Sequence, residues 1–139
     1  MQLRGLHHVT AICRDLERTI AFYRDVLGLA IVQDTTSADD PDARHVWFGC
    51  GDGTFVSFME YDAMPDGVVG VGSTHHFALR VHSAEEQEAW RDYLRAHDVD
   101  CTEVLDRGNF RSIYMRDPDG HMVEIATAAT GLGAGGPPA

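Results

Sequence analysis

Two histidine pairs, His7-His8 and His75-His76, and one glutamate inside an otherwise apolar run, Met122-Val123-Glu124-Ile125-Ala126, are the residues whose types and spacing could do chemistry. His8 and His76 stand 68 residues apart in matching text, HHVTAIC at 7–13 and HHFALRV at 75–81, which marks an internal repeat. Neighbouring side chains of a strand point to opposite faces. His76, Ala78 and Arg80 therefore share one face, with Phe77, Leu79 and Val81 turned under a helix, and His8, Thr10 and Ile12 correspond to them in the first copy. On the last strand Val123 and Ile125 form the helix-facing pair, which leaves Met122, Glu124 and Ala126 on the same side as His76. A carboxylate there is expensive to bury alone, so Glu124 calls for a cationic partner, a proton or a metal. Two imidazoles and a carboxylate, His8, His76 and Glu124, make a three-ligand facial set for divalent iron or manganese that leaves coordination positions open.

The repeat sharpens this assignment. Asp52-Gly53 and Asp119-Gly120 are hairpin turns 67 residues apart, which sets Glu124 on Ser57 and Tyr114 on Trp47. Serine is a poor substitute for a carboxylate ligand, so the chain keeps three of the four ligands that a symmetric site could offer. Tyr114 can give a hydrogen bond or a proton to a molecule bound beside Glu124. His7 and His75 are either strand-edge residues or neighbours of the site. Arg107, beside Gly108-Asn109, is open either to solvent or to an anionic substrate. His45, His82, His97 and His121 show no such convergence and are expected on the surface or in turns.

The elements that must position these residues follow the repeat. After the first HH strand, Asp15 is a plausible N-cap, Leu16, Ile20, Tyr23 and Leu27 have helical spacing, and Gly28 ends the helix. After the second, Ser83 and Glu86 have capping-box spacing, with Trp90, Tyr93, Leu94 and His97 as the inner stripe. Strands are expected at 29–36, 44–50 and 53–60, and again at 99–106, 110–116 and 121–127. The fold class is therefore α+β, with two βαβββ modules at about 5–60 and 73–128 joined by a Gly-rich linker at 61–72. A single module cannot cover its own sheet, so the two are expected to pair into a curved mixed sheet enclosing a metal-centred cavity. They make one domain over 1–130, and Gly131 to Ala139 is expected to be a flexible tail.

Composition narrows the partners. The chain has 139 residues, 44% of them hydrophobic, with 11 Lys+Arg against 22 Asp+Glu and a formal net charge of −11. That acidity disfavours nucleic acid and anionic membrane surfaces. No run is long and apolar enough to span a bilayer, and the first residues lack a signal-peptide core, so a cytoplasmic protein is expected. Three cysteines, Cys13, Cys50 and Cys101, have neither disulfide nor zinc spacing and read as buried thiols.

As a set, LHHVTAICRDLERTIAFYRDVLGL, STHHFALRV and RDPDGHMVEIAT resemble the vicinal oxygen chelate superfamily of glyoxalases, bleomycin-resistance proteins and extradiol dioxygenases, over roughly residues 5–128. Within it, TEVLDRGNFRSIYMRDPDGHMVEIAT is similar to ring-cleaving dioxygenases of the hydroquinone type, which are about twice as long. The resemblance implies ferrous iron held by His8, His76 and Glu124. It also implies roles for His7, Arg107 and Tyr114 on an aromatic substrate or its leaving proton. The implied activity is Fe(II)-dependent extradiol-type cleavage of a hydroquinone or catechol by O₂. The alternatives are a glyoxalase-like isomerase or thiol transferase using Mn(II), Ni(II) or Zn(II), and a metal-free drug-binding resistance protein. A homodimer is expected, in which His8 joins His76 and Glu124 either of its own chain or of a partner's.

Overall fold

The computed structural model describes residues 1–128, so the expected tail at 131–139 lies outside the described residues. Gly5–Gly67 forms one compact unit, and the described residues from Val68, with Met1–Arg4, form the other. Each unit carries a four-stranded mixed sheet with helical cover, which makes the fold α+β.

In the first module, β1 (His8–Cys13) leads into α1 (Leu16–Ile20), and β2 (Ala30–Thr36), β3 (Arg44–Gly49) and β4 (Phe55–Glu60) follow. The sheet order is β1-β4-β3-β2, with β1 parallel to β4 and the other pairs antiparallel. Asp15 caps α1 as its residue type predicts: its carboxylate accepts from Glu17 N at 2.8 Å and Arg18 N at 3.2 Å. The helix then widens, and Ala21–Val26 is a π-helical turn that the apolar spacing does not reveal. Gly28 closes it at φ +75°, a left-handed conformation open to glycine at little cost. Leu16, Ile20, Tyr23 and Leu27 are all buried, as their spacing predicts. Tyr23 stacks between Phe48 and Phe58, with ring centroids 5.6 and 4.6 Å away. Each such side chain contributes about 1.5–3 kcal/mol by leaving water.

The second module repeats the plan with β5 (Phe77–Val81), α2 (Ala84–Ala96), β6 (Leu105–Asp106), β7 (Arg111–Arg116) and β8 (Met122–Thr127), in sheet order β5-β8-β7-β6. Ser83 Oγ accepts from Glu86 N at 3.2 Å, while the Glu86 carboxylate reaches back to His82 N at 2.8 Å, one residue beyond a standard capping box. Two expectations need correction. The strand at 99–106 shrinks to Leu105–Asp106 plus an isolated bridge at Cys101. The inner stripe of α2 centres on Gln87 and Leu94, whereas His97 is exposed beyond the helix end, with its ring 4.0 Å from that of Tyr93. Glutamine is polar and was passed over in an apolar pattern. Of the cysteines only Cys13 is buried; Cys50 and Cys101 are half-buried, and burial pushes the Cys50 thiol up.

Both modules turn their last hairpin as their Asp-Gly pairs predict. Asp52 accepts from Thr54 N, Asp117 accepts from Asp119 N and His121 N, and Gly53 and Gly120 both have φ +89°. The ladders confirm the alignment of the copies: Thr10 and Trp47 flank Ser57, and Ala78 and Tyr114 flank Glu124. On each sheet the helix-facing rows are apolar, Val46, Phe48, Val56 and Phe58 in one and Ile113, Met115, Val123 and Ile125 in the other.

Candidate active site

The opposite face of the second sheet carries the candidate residues Glu124 and Tyr114. Glu124 is only 3% exposed in the middle of β8, held there by the apolar pair Val123 and Ile125 on the reverse side. One carboxylate oxygen accepts a hydrogen bond from the Ser112 hydroxyl. The other lies 2.9 Å from His76 Nε2, on a side chain that is one-third exposed just ahead of β5. Among the described residues no arginine pairs with Glu124; the imidazole of His76 faces it. A buried carboxylate bonded to a hydroxyl and facing an imidazole is a nitrogen and oxygen donor set suited to a divalent first-row metal.

Around this pair stand the residues that the sequence brought forward. Tyr114 lies directly across from Glu124 on β7, and its ring meets that of His76 edge-on at 5.6 Å. Arg107 donates from Nη2 to Tyr114 Oη at 3.3 Å, with its guanidinium carbon 5.3 Å from the ring centroid. A phenol that accepts from arginine keeps its own proton free to point elsewhere. His75 Nδ1 is 2.8 Å from His76 Nδ1, a hydrogen bond in which one imidazole donates and the other accepts.

The first module builds a related face with different groups. His7 Nδ1 and His8 Nδ1 are 2.8 Å apart, repeating the geometry of the second pair. The His8 ring lies 4.7 Å from Trp47, which stands where Tyr114 stands in the other module. Ser57, fully buried, bonds Thr10 Oγ1 at 2.8 Å and His45 Nε2 at 3.0 Å. His45 is thus a correction: it is half-buried on β3, on the His8 face, with its ring 4.9 Å from Trp47. Burial, and then the nearby His8, push its pKa below the usual imidazole value. Two signals pointed to it, since His45 shares a strand face with Trp47 and lies 67 residues before Ser112. His82 and His97 are exposed, and His121 sits half-buried in the β7–β8 turn.

The structure thus brings His76, Glu124, Tyr114 and Arg107 together in one module and His7 with His8 in the other. Among the described residues no three His, Cys, Asp or Glu side chains form a group of metal-binding geometry.

The fold and the repeated HH faces define a vicinal-oxygen-chelate architecture, and residues 5–125 match the family model of the glyoxalase/bleomycin resistance protein/dioxygenase superfamily. The chain belongs to that superfamily, whose members are mostly enzymes that depend on a divalent metal. It is 26% identical over 140 residues to the Bacillus subtilis (strain 168) protein named "Putative ring-cleaving dioxygenase MhqA", covering 99% of this chain and 44% of that protein. It is 31% identical over 130 residues to "Metallothiol transferase FosB" of Staphylococcus haemolyticus (strain JCSC1435), covering 91% of this chain and 86% of that one. A crystal structure of a "putative dioxygenase" from Bacillus subtilis subsp. subtilis str. 168 superposes with a TM-score of 0.81 at 30% identity, over 90% of this chain and 41% of the other. The chain therefore spans less than half the length of the dioxygenase-type relatives and most of the length of the thiol transferase. No described helix is long and apolar enough to cross a membrane.

Proposed function

We propose that the chain is a metal-dependent dioxygenase that opens the ring of a hydroquinone or catechol, with His8, His76 and Glu124 as the metal ligands. The observation that carries this reading is the buried Glu124, gripped by Ser112 and facing His76, with the Tyr114–Arg107 pair across the strand. A divalent metal held there, Fe(II) on this reading with Mn(II), Ni(II) or Zn(II) as the other candidates, would supply Lewis acidity toward a phenolic oxygen and open positions for O₂.

The chain's own residues supply the rest. Tyr114, accepting from Arg107, aims its proton at an oxygen of the bound ring. The Arg107 charge offsets negative charge on a phenolate. His7, in hydrogen-bond contact with His8, accepts the phenolic proton and returns it to product. A small aromatic molecule and O₂ are the partners, and the working form is a homodimer in the cytoplasm.

Thiol transfer is the second reading, favoured by one observation: the chain is 31% identical over 130 residues to FosB, against 26% over 140 residues to MhqA. O₂ uptake and ring-opening absorbance, followed after anaerobic loading with Fe(II) across substituted hydroquinones and catechols, separate the two. Stoichiometric uptake with a ring-opened product supports the dioxygenase. Conjugation of a thiol to an electrophile without O₂ consumption replaces it with the transferase.

A further inference from the structure

Gln87 is fully buried in α2, on the reverse side of the sheet from Glu124. Its Nε2 donates to two strand carbonyls, Arg111 O at 2.7 Å and Ile125 O at 2.9 Å. Arg111 precedes Ser112, and Ile125 follows Glu124, so the two carbonyls bracket the pair that holds the carboxylate. Its Oε1, by contrast, is buried with no hydrogen-bond partner among the described residues. An unpaired buried amide oxygen costs stability, and a leucine or methionine would fill the same space without that cost. Packing alone therefore does not account for a glutamine at this position.

The first module provides an internal control. Thr19 lies four residues after its N-cap Asp15, as Gln87 lies four after Ser83. Thr19 closes on its own helix, with Oγ1 on Asp15 O at 3.1 Å. At the place of Glu124 that module has Ser57. The first module ties its helix to its sheet elsewhere, through Leu16 N on Glu60 of β4 and Glu17 on Arg44 of β3, so a brace onto the carbonyls beside the Glu124 position is particular to the second module.

We propose that Gln87 is a positioning residue: by tying α2 to the Arg111 and Ile125 carbonyls it holds β7 and β8 in register, so that Ser112 stays on one oxygen of Glu124 and the other stays aimed at the His76 side. The role at a metal rests on Glu124 being a ligand, as proposed above. Groups that orient a ligand without touching the metal typically change affinity about 10–100-fold when removed.

The test uses the full chain and Mn(II) titration by the electron-spin resonance of free ion, at a temperature where circular dichroism shows every variant folded. Gln87→Met keeps shape and removes both donated bonds. Should it not fold, Gln87→Glu, of the same shape with a single proton to donate when neutral, takes its place. The expected result is Mn(II) affinity about tenfold or more weaker, a changed visible spectrum of the Co(II)-loaded protein, and faster amide exchange at Ser112, Ile113 and Ala126 in the metal-free protein. A folded variant with unchanged affinity and Co(II) spectrum overturns the proposal, even if its melting temperature falls. Glu124→Gln in the same titration separates the two ideas. If Glu124→Gln weakens binding and Gln87→Met does not, the ligand reading stands and the brace falls. If Glu124→Gln binds as tightly as the parent, the ligand reading fails, and the role of Gln87 at the metal fails with it.

Discussion

Replacing Glu124 by Gln should act in opposite directions on the metal-free and metal-bound protein. The carboxylate is 3% exposed and meets one hydroxyl and one imidazole. An amide of the same shape can still accept from Ser112 and donate to His76, while a buried charge is removed. Metal-free Glu124→Gln is therefore expected to melt at or above the parent temperature. Metal binding shifts the other way. Losing the charged partner of a buried ion costs about 3–5 kcal/mol, and the lower end already weakens affinity by about 100-fold. With free Mn(II) at about one hundred times the parent dissociation constant, binding stabilises the parent by about 2.7 kcal/mol, against roughly 0.4 kcal/mol for the variant. For a chain of 139 residues the melting point rises by about 10 °C in the parent and by about 1–2 °C in the variant. Differential scanning calorimetry with and without Mn(II) reads both quantities. Equal metal-induced shifts in the two proteins would refute the ligand assignment, and a large loss of metal-free stability would refute the claim that the carboxylate adds no stability without the metal.

Ser112→Ala removes the hydroxyl that fixes one carboxylate oxygen, so Mn(II) affinity should fall by about tenfold in a titration of the folded protein. Unchanged affinity would mean that the contact does not orient Glu124. His45 gives a pH signature: its folded pKa is depressed by burial and then by His8, so the unfolded state binds the proton more readily. Its contribution to stability is present above the ordinary imidazole value and is lost as pH falls from there through the lower folded value. Urea unfolding of the parent between pH 7.5 and 5 should therefore show a steeper loss than His45→Gln, and parallel curves would contradict the assignment.

Much of this architecture is legible in the sequence because it occurs twice. Two HH strands, two capped helices and two Asp-Gly hairpins fix the module boundaries and the register, and the ladders place Trp47 and Tyr114 beside Ser57 and Glu124 as the 67-residue offset requires. Misses occur where tertiary context overrides local pattern. The π-helical turn at Ala21–Val26 leaves the same four residues buried as a regular helix would, so periodicity cannot distinguish them. The strand expected at 99–106 is interrupted: it pairs with β7 at Cys101–Thr102 and again at Leu105–Asp106, with a break between them. Gln87 and His45 were passed over because a polar residue in an amphipathic pattern reads as solvated. Their roles depend on hydrogen bonds to other segments, Gln87 to β7 and β8 and His45 to β4.

These two residues also show how the copies diverged. At equivalent positions the second module pairs a hydroxyl on β7 with a carboxylate on β8, Ser112 with Glu124, while the first pairs an imidazole on β3 with a hydroxyl on β4, His45 with Ser57. The hydrogen bond is retained and the two strands exchange which side carries the titratable group. The carboxylate at this position occurs in the second module only, and there Gln87 of the helix bonds the carbonyls behind it; in the first an imidazole bonds a serine, Thr19 closes on its own helix, and the helix is tied to β4 elsewhere, where Glu60 accepts from Leu16 N. A buried anion that must hold one orientation needs reinforcement from behind, whereas a neutral hydroxyl can rotate to meet its partner. The asymmetry of the helices therefore follows from the asymmetry of the faces they support.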